Sequence, residues 1–146
     1  MPSREEVGSA ARALVRRAFK GSMATIDVKN GYPYASLVTL ATDASGAPTL
    51  LISNLARHTA NLAEDPRASI MVDETGTLAD PLQGARVTVH GKLERTKEGA
   101  VRRRFLARHP EASFYADFPD FGFFRLAVEG DVRPGEVQEL QHHGEH

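Results

Sequence analysis

Residues 50–72 read LLISNLARHTANLAEDPRASIMV, and this stretch decides the predicted fold. The apolar residues 50–52 are typical of a buried strand. Residues 57–64 carry apolar side chains at helical spacing, and Pro66 ends this helix before a second strand at 68–73. The stretch therefore predicts a strand, a short helix and another strand in close succession.

The first turn of this predicted helix carries Arg57 and His58 and no acidic residue. The N-terminus of a helix is the positive end of its dipole, where acidic side chains are common. Ser53 and Thr59 add hydroxyl groups nearby, so backbone N–H groups, a guanidinium and an imidazole are expected to converge there. This pattern favours an anion site. The alternative is a polar turn whose charges face solvent, and the residues alone leave both open.

The composition indicates one globular domain that depends on a cofactor for any redox chemistry. The chain has 146 residues, with 41% hydrophobic and 25% charged side chains. Its net charge of −1 argues against nucleic acid or a membrane surface as partner. It has no cysteine, which excludes thiol catalysis and iron–sulfur clusters. No apolar run is long enough to cross a membrane, so the cytoplasm is the expected location.

Six segments have the alternating or apolar pattern of short strands, namely 22–28, 34–42, 50–53, 68–73, 86–96 and 124–128. Helices are expected from Ser3 to Gly21 and over 98–109 as well as over 57–64. Asn30 and Gly31 mark a hairpin between the first two strands. These patterns predict a mostly β, α+β fold. Its core is a six-stranded antiparallel barrel with flanking helices.

The domain is expected to cover residues 1–130. The remaining residues, 131–146, are polar and are predicted to be a disordered tail.

Four blocks carry a resemblance to a known family: ASLVTLATD (35–43), the stretch 50–72, GARVTVHGKLERT (84–96) and RRFLARHPEASFYADFPDFGFFRL (103–126). In this order they resemble the pyridoxamine 5′-phosphate oxidase-like flavoproteins, the FMN-binding split barrels. The last block is most similar to the branch of that family associated with haem utilisation.

The resemblance implies a homodimer that holds FMN in clefts between its subunits and acts as an oxidoreductase on an unknown small molecule. The residues that match the family's cofactor contacts are Ser36, Leu37, Val38, Ile52, Ser53, Arg57, His58, Thr59 and Arg86. Arg86 matches a position that reaches the cofactor from the second subunit. No side chain stands out as a general acid or base, and no metal site is predicted in the barrel.

Two departures argue against true pyridoxamine 5′-phosphate oxidase activity. That enzyme has an arginine where this chain has Ser36, and it needs a C-terminal segment bearing tryptophan and arginine, whereas this chain has no tryptophan. An FMN-dependent oxidoreductase with another substrate stays the first expectation. Three alternatives remain beside it: a haem-binding or haem-utilisation protein on the same barrel, a flavin-storage or regulatory module, and a protein that uses the deazaflavin F420.

The tail adds a separate possibility. His142, His143 and His146 are close together, and imidazoles ligate haem iron and divalent metals. A mobile ligand is costly to order, however, and the haem-utilisation relatives continue with a Gly-Gly-Phe-like segment where this chain has Arg133-Pro134-Gly135-Glu136. The tail is thus either a ligand or an inert end.

Overall fold

The computed structural model describes residues 3–76, 79–80, 82 and 84–129. The helices are α1 (Arg4–Arg17), α2 (Arg57–Glu64) and α3 (Gly99–Arg108), and a 3₁₀ helix covers Pro110–Phe114. The strands are β1 (Lys20–Ile26), β2 (Pro33–Thr39), β3 (Ala41–Thr42), β4 (Pro48–Ser53), β5 (Arg67–Asp73), β6 (Arg86–Thr96) and β7 (Phe121–Val128). The predicted tail lies outside the described residues.

The strands form one antiparallel sheet in the order β2-β1-β5-β6-β7-β4-β3. Its two edge strands, β2 and β3, are consecutive in the chain and are separated only by Leu40. Because one residue must connect the two edges, the sheet curls, and the predicted split-barrel fold is confirmed.

The strand count is seven within the described residues, not the six predicted. The expected strand 34–42 is two strands, since the chain leaves β1 at Leu40 and then pairs with β4. The N–H group of Leu40 donates to the carbonyl of Phe19 (2.8 Å), and its side chain is buried. Periodicity alone cannot show such a change of partner, because Leu40, Ala41 and Thr42 are all buried and no alternation marks the break.

β6 is the strand at which the barrel divides. Its first half pairs with β5 and its second half pairs with β7, and Gly91 takes part in both pairings. A Cβ atom at Gly91 would lie 2.1 Å from the carbonyl oxygen of Ala127, so only glycine allows this close approach of the two backbones.

α1 begins as expected and ends early. Its N-cap is Ser3, whose Oγ accepts from the N–H group of Glu6 (3.1 Å). It ends at Arg17, with Ala18 already extended, so the predicted end at Gly21 is wrong. Gly21 lies in β1, where a Cβ atom would meet the carbonyl oxygen of Met71 at 2.8 Å. This glycine serves sheet packing rather than helix termination.

Two hydrophobic clusters stabilise the fold. The larger fills the barrel with side chains from α1 and the inward face of the sheet, including Leu14, Ile70 and Leu126. The smaller lies between α3 and the outside of β4 and β7, around Phe105. Burial of this apolar area is the main source of stability.

The outer surface of the barrel formed by β2, β1, β5 and the first half of β6 is not covered by any described helix. In β2, β1, β5 and the first half of β6, the positions that point out of the barrel are exposed or half-buried, while the alternate positions are largely buried. We refer to eight of these positions, Ser22, Ala24, Ala35, Leu37, Ser69, Met71, Thr88 and His90, as the outward face.

Candidate functional site

The site predicted from the sequence lies where α2 begins, beside β2 and the end of β4. No side chain caps this helix, because its N-cap residue is Ala56. Ser53 closes the turn instead: its Oγ accepts from the N–H group of Leu55 (3.1 Å), and its carbonyl accepts from the Thr59 hydroxyl (2.6 Å). These contacts give both residues a role in the turn itself.

Arg57 is held by a partner that is not among the predicted site residues. Its Nε donates to Oδ2 of Asp27 (2.8 Å), and its Nη2 donates to the same oxygen. Its guanidinium also lies over the ring of Tyr34, 5.6 Å from the centroid. The side chain of Asp27 is only 4% exposed, whereas that of Arg57 is 47% exposed. The charge at the helix start is thus already balanced from within the chain.

Burial alone would raise the pKa of Asp27. The N–H group of Lys29, which donates to Oδ1 (3.0 Å), and the guanidinium of Arg57 outweigh that effect, so this pKa lies below its ordinary value. Asp27 is therefore ionised at neutral pH. A sequence signal was present: Met23, Thr25 and Asp27 alternate onto the inward face, where a buried carboxylate needs a cation.

His58 is the second basic residue of the helix start. Its Nδ1 lies 3.3 Å from Oγ of Ser36, and burial lowers the pKa of its imidazole. Its Nε2 is buried and has no hydrogen-bond partner among the described residues. The imidazole is therefore neutral at physiological pH and adds no positive charge to an anion site.

The nine predicted site residues divide into three groups. Ser36, Ser53, Arg57, His58 and Thr59 meet at the start of α2. Val38 and Ile52 lie behind them in the barrel core, with 5% and 6% of their surfaces exposed. Leu37 and Arg86 are elsewhere: Leu37 points outward from β2, and Arg86 lies three strands away on β6. The roles of all nine residues in holding a cofactor remain predictions.

Two further features bear on the choice of ligand. Within the described residues, no group of three or more histidine, cysteine or acidic side chains is arranged to hold a metal ion. His142, His143 and His146 lie outside the described residues. None of the described helices is long and apolar enough to cross a membrane.

Comparisons with known proteins identify haem proteins among the relatives. The chain is 36% identical, over 119 residues, to the chloroplastic non-canonical haem oxygenase HOZ of Arabidopsis thaliana, and the match covers 79% of this chain and 36% of that protein. It is 37% identical to a haem-binding protein of Mycobacterium smegmatis whose structure matches with a TM-score of 0.78, covering 88% of this chain and 52% of that one. The chain thus spans about a third and about half of these relatives.

The haem storage protein HutZ of Vibrio cholerae also has this fold, with a TM-score of 0.68 and 24% identity, covering 91% of this chain and 94% of that one. At that identity the likeness concerns the fold alone. The shared fold and the two relatives named for haem bear out the resemblance to a split-barrel family with a haem-utilisation branch. Because the model of the family described as "CREG, beta-barrel" matches residues 2–131, this chain belongs to the CREG β-barrel family.

Proposed function

We propose that this chain binds haem and that haem handling, rather than flavin chemistry, is its function. The observation that carries the proposal is the pair of relatives at 36% and 37% identity, both of which are named for haem. The FMN oxidoreductase predicted from the sequence has weaker support, since neither name mentions a flavin and the guanidinium meant for its phosphate is paired with Asp27. The proposal concerns binding and leaves aside the oxygenase activity of the plant relative.

The composition of the outward face supports this proposal. Haem is a flat, largely apolar ring with two carboxylates and an iron that takes axial ligands such as histidine. In register across β2, β1, β5 and β6, one row of the face is Leu37, Ser22, Met71 and Thr88, and the next is Ala35, Ala24, Ser69 and His90. Most of these side chains are short, so a planar ring can lie close to the sheet.

His90 is the histidine of this face. It is half-buried and lines a cavity of about 300 Å³ together with Ala24, Arg67 and Ser69. The other described histidines are placed differently: Nε2 of His109 is engaged by the carbonyl of Leu40 (2.7 Å), and His58 is turned towards Ser36. His90 is accordingly the described side chain best placed to ligate iron on this face.

Basic side chains lie at the edges of the outward face, and haem carries two carboxylates that they could bind. Lys92 is exposed and lies opposite Arg67 in the pairing of β6 with β5, and Arg86 lies at the other end of the same pairing, opposite Asp73. Both propionates leave one edge of the ring, so Lys92, which lies beside Arg67 and two residues from His90, would bind them by charge-assisted contacts. His90 would hold the iron. Bound haem would supply the iron-centred redox chemistry, and these residues would only position it.

We also propose a homodimer with the cofactor at the subunit interface. Leu37 is 75% exposed and Met71 is 37% exposed on the outward face. Apolar side chains exposed together on an uncovered sheet commonly mark an interface between subunits. A second copy would cover these residues and exclude water from the haem, and Arg86 would then lie near both chains.

The test is a titration of the purified full chain with haemin, followed through the Soret band. We expect saturable binding in the full chain and little binding in Ala24→Trp, because an indole would block the flat part of the outward face. Ala60→Trp is the matched control, since Ala60 is exposed on α2. Parallel titration with FMN, read by quenching of its fluorescence, provides the comparison. Saturation with FMN but not with haemin would refute the haem proposal.

A further inference from the structure

A second cavity lies on another part of the molecule. It has a volume of about 450 Å³ and is enclosed by α1, by the turn between β3 and β4, and by the last residues of β7. It shares no residue with the outward face or with the start of α2. Cavities of this size, with apolar walls and a few convergent polar groups, are typical of small-molecule sites.

The rim of the cavity is basic. Arg12 and Arg16 are one helical turn apart on α1, and both are exposed at its edge. Within the described residues, neither forms an ion pair, whereas several other arginines do. Arg16 lies close against the turn, since a Cβ atom at Gly46 would be 2.9 Å from its Nη2. Two guanidinium groups are thus available at the mouth.

The acidic residue of the cavity, Asp43, already has hydrogen-bond and ion-pair partners within the chain. Asp43 accepts from the N–H group and hydroxyl of Ser45 (2.9 and 2.6 Å) and from the N–H group of Ala47 (3.0 Å). It also pairs with Nε of Arg125 (2.9 Å). Burial would raise the pKa of Asp43, but these contacts lower it, so Asp43 stays ionised. Arg125 is also paired with Glu98, to which its Nη1 donates at 3.2 Å and its Nη2 donates as well. Arg12, Arg16 and Arg125 thus face the two carboxylates of Asp43 and Glu98, which leaves one positive charge in excess at the mouth.

The inner wall of the cavity is apolar. It includes Val15, Val89 and Leu126, which are members of the barrel core with at most 4% of their surfaces exposed. A ligand that reached them would place its own apolar body against the core while its charged end stayed at the arginines. Neither a bare inorganic anion nor a neutral hydrocarbon would use both halves of this cavity.

We propose that this cavity binds a small amphipathic carboxylate, with the carboxylate between Arg12 and Arg16 and the apolar part against Val15, Val89 and Leu126. Guanidinium groups bind carboxylates through paired N–H donors, which gives the mouth its preference for this head group. The proposal is independent of haem binding, because it uses none of the same residues.

Octanoate is a suitable probe, added to the full-length chain and followed by isothermal titration calorimetry and by amide shifts in ¹H–¹⁵N spectra. We expect saturable binding, with the largest shifts around Arg16, Gly46 and Ala127. The double variant Arg12→Gln/Arg16→Gln should bind about tenfold more weakly or worse, since each charge-assisted contact is worth roughly that factor. Arg103→Gln, an exposed arginine on α3, should bind as the unmodified chain does.

Two further measurements distinguish binding at this site from nonspecific binding of octanoate. Ala47→Leu keeps both arginines but fills part of the cavity, and it should also weaken octanoate binding. Octanamide has the same chain without the charge and should bind at least about tenfold more weakly than octanoate. Equal binding of octanoate and octanamide, or equal binding by the double variant and the unmodified chain, would overturn the proposal. Haem titration of the same variants should be unchanged, which keeps the two proposals apart.

Discussion

The guanidinium of Arg57 is bound to the buried carboxylate of Asp27, and these residues are thirty positions apart in the chain. The pair connects the start of α2 to the end of β1. The residue types at this helix start predict an anion site, but the positive charge of Arg57 is already neutralised by Asp27.

Replacement of Arg57 by alanine should lower Tm by several degrees, because it leaves Asp27 ionised in a buried position without its partner. The double variant Asp27→Asn/Arg57→Ala should recover part of this loss, since the uncompensated charge is then absent. Thermal unfolding followed by circular dichroism measures both, with Arg103→Ala as an exposed control. A single variant as stable as the unmodified chain would show that the pair contributes nothing.

His58 should make stability depend on pH in the range just below neutrality. Burial lowers its pKa in the folded state, so below the ordinary value of 6.5 the unfolded chain binds the proton more readily. The free energy of unfolding should therefore decrease as the pH falls through that value. Urea denaturation from pH 8 to pH 5 should show a smaller decrease for His58→Gln than for His90→Gln. Identical profiles for the two variants would contradict this.

Gly91→Ala should destabilise the fold by about 2–3 kcal/mol, because the added methyl group overlaps the backbone of β7. The control is Gly76→Ala, since nothing lies within 4 Å of a Cβ atom at that position. Chemical denaturation of both variants gives the comparison. Equal midpoints would mean that β6 and β7 separate at little cost.

Light scattering at micromolar concentration should give a mass near twice the 15.9 kDa of one chain. Leu37→Glu should yield monomers, because it places a charge in the proposed interface on the outward face. Phe114 is 82% exposed but lies in the 3₁₀ helix, which is not part of the outward face. Phe114→Glu should therefore leave the mass unchanged. A single-chain mass for the unmodified protein would exclude the dimer and the shared cofactor cleft.

Deletion of residues 141–146 should leave the Soret band of the haem-loaded chain in place, whereas His90→Ala should shift or weaken it. The expectation follows from the position of His90 on the outward face. The same deletion should leave the protein a dimer in solution. If the truncated chain instead lost the band, the axial ligand would be one of His142, His143 and His146.

Much of the secondary structure was determined by local sequence. The predicted helix 57–64 and strand 86–96 match α2 and β6 in full, because their periodicities and end signals are written within the segments themselves. The hairpin at Asn30 and Gly31 is present as well, with Gly31 at a φ of 76°. The anion-binding pattern at the helix start was also visible, as a set of residue types.

The tertiary structure alone decided how those residues are used. The break at Leu40 depends on which strands meet when the sheet curls, and the neutralisation of Arg57 depends on β1 bringing Asp27 to α2. Likewise, His90 and Leu37 share one face only because β2, β1, β5 and β6 pair in a particular register. Local patterns report the spacing of side chains along one element. Contacts between distant elements depend on sheet order and register, which only the folded chain determines.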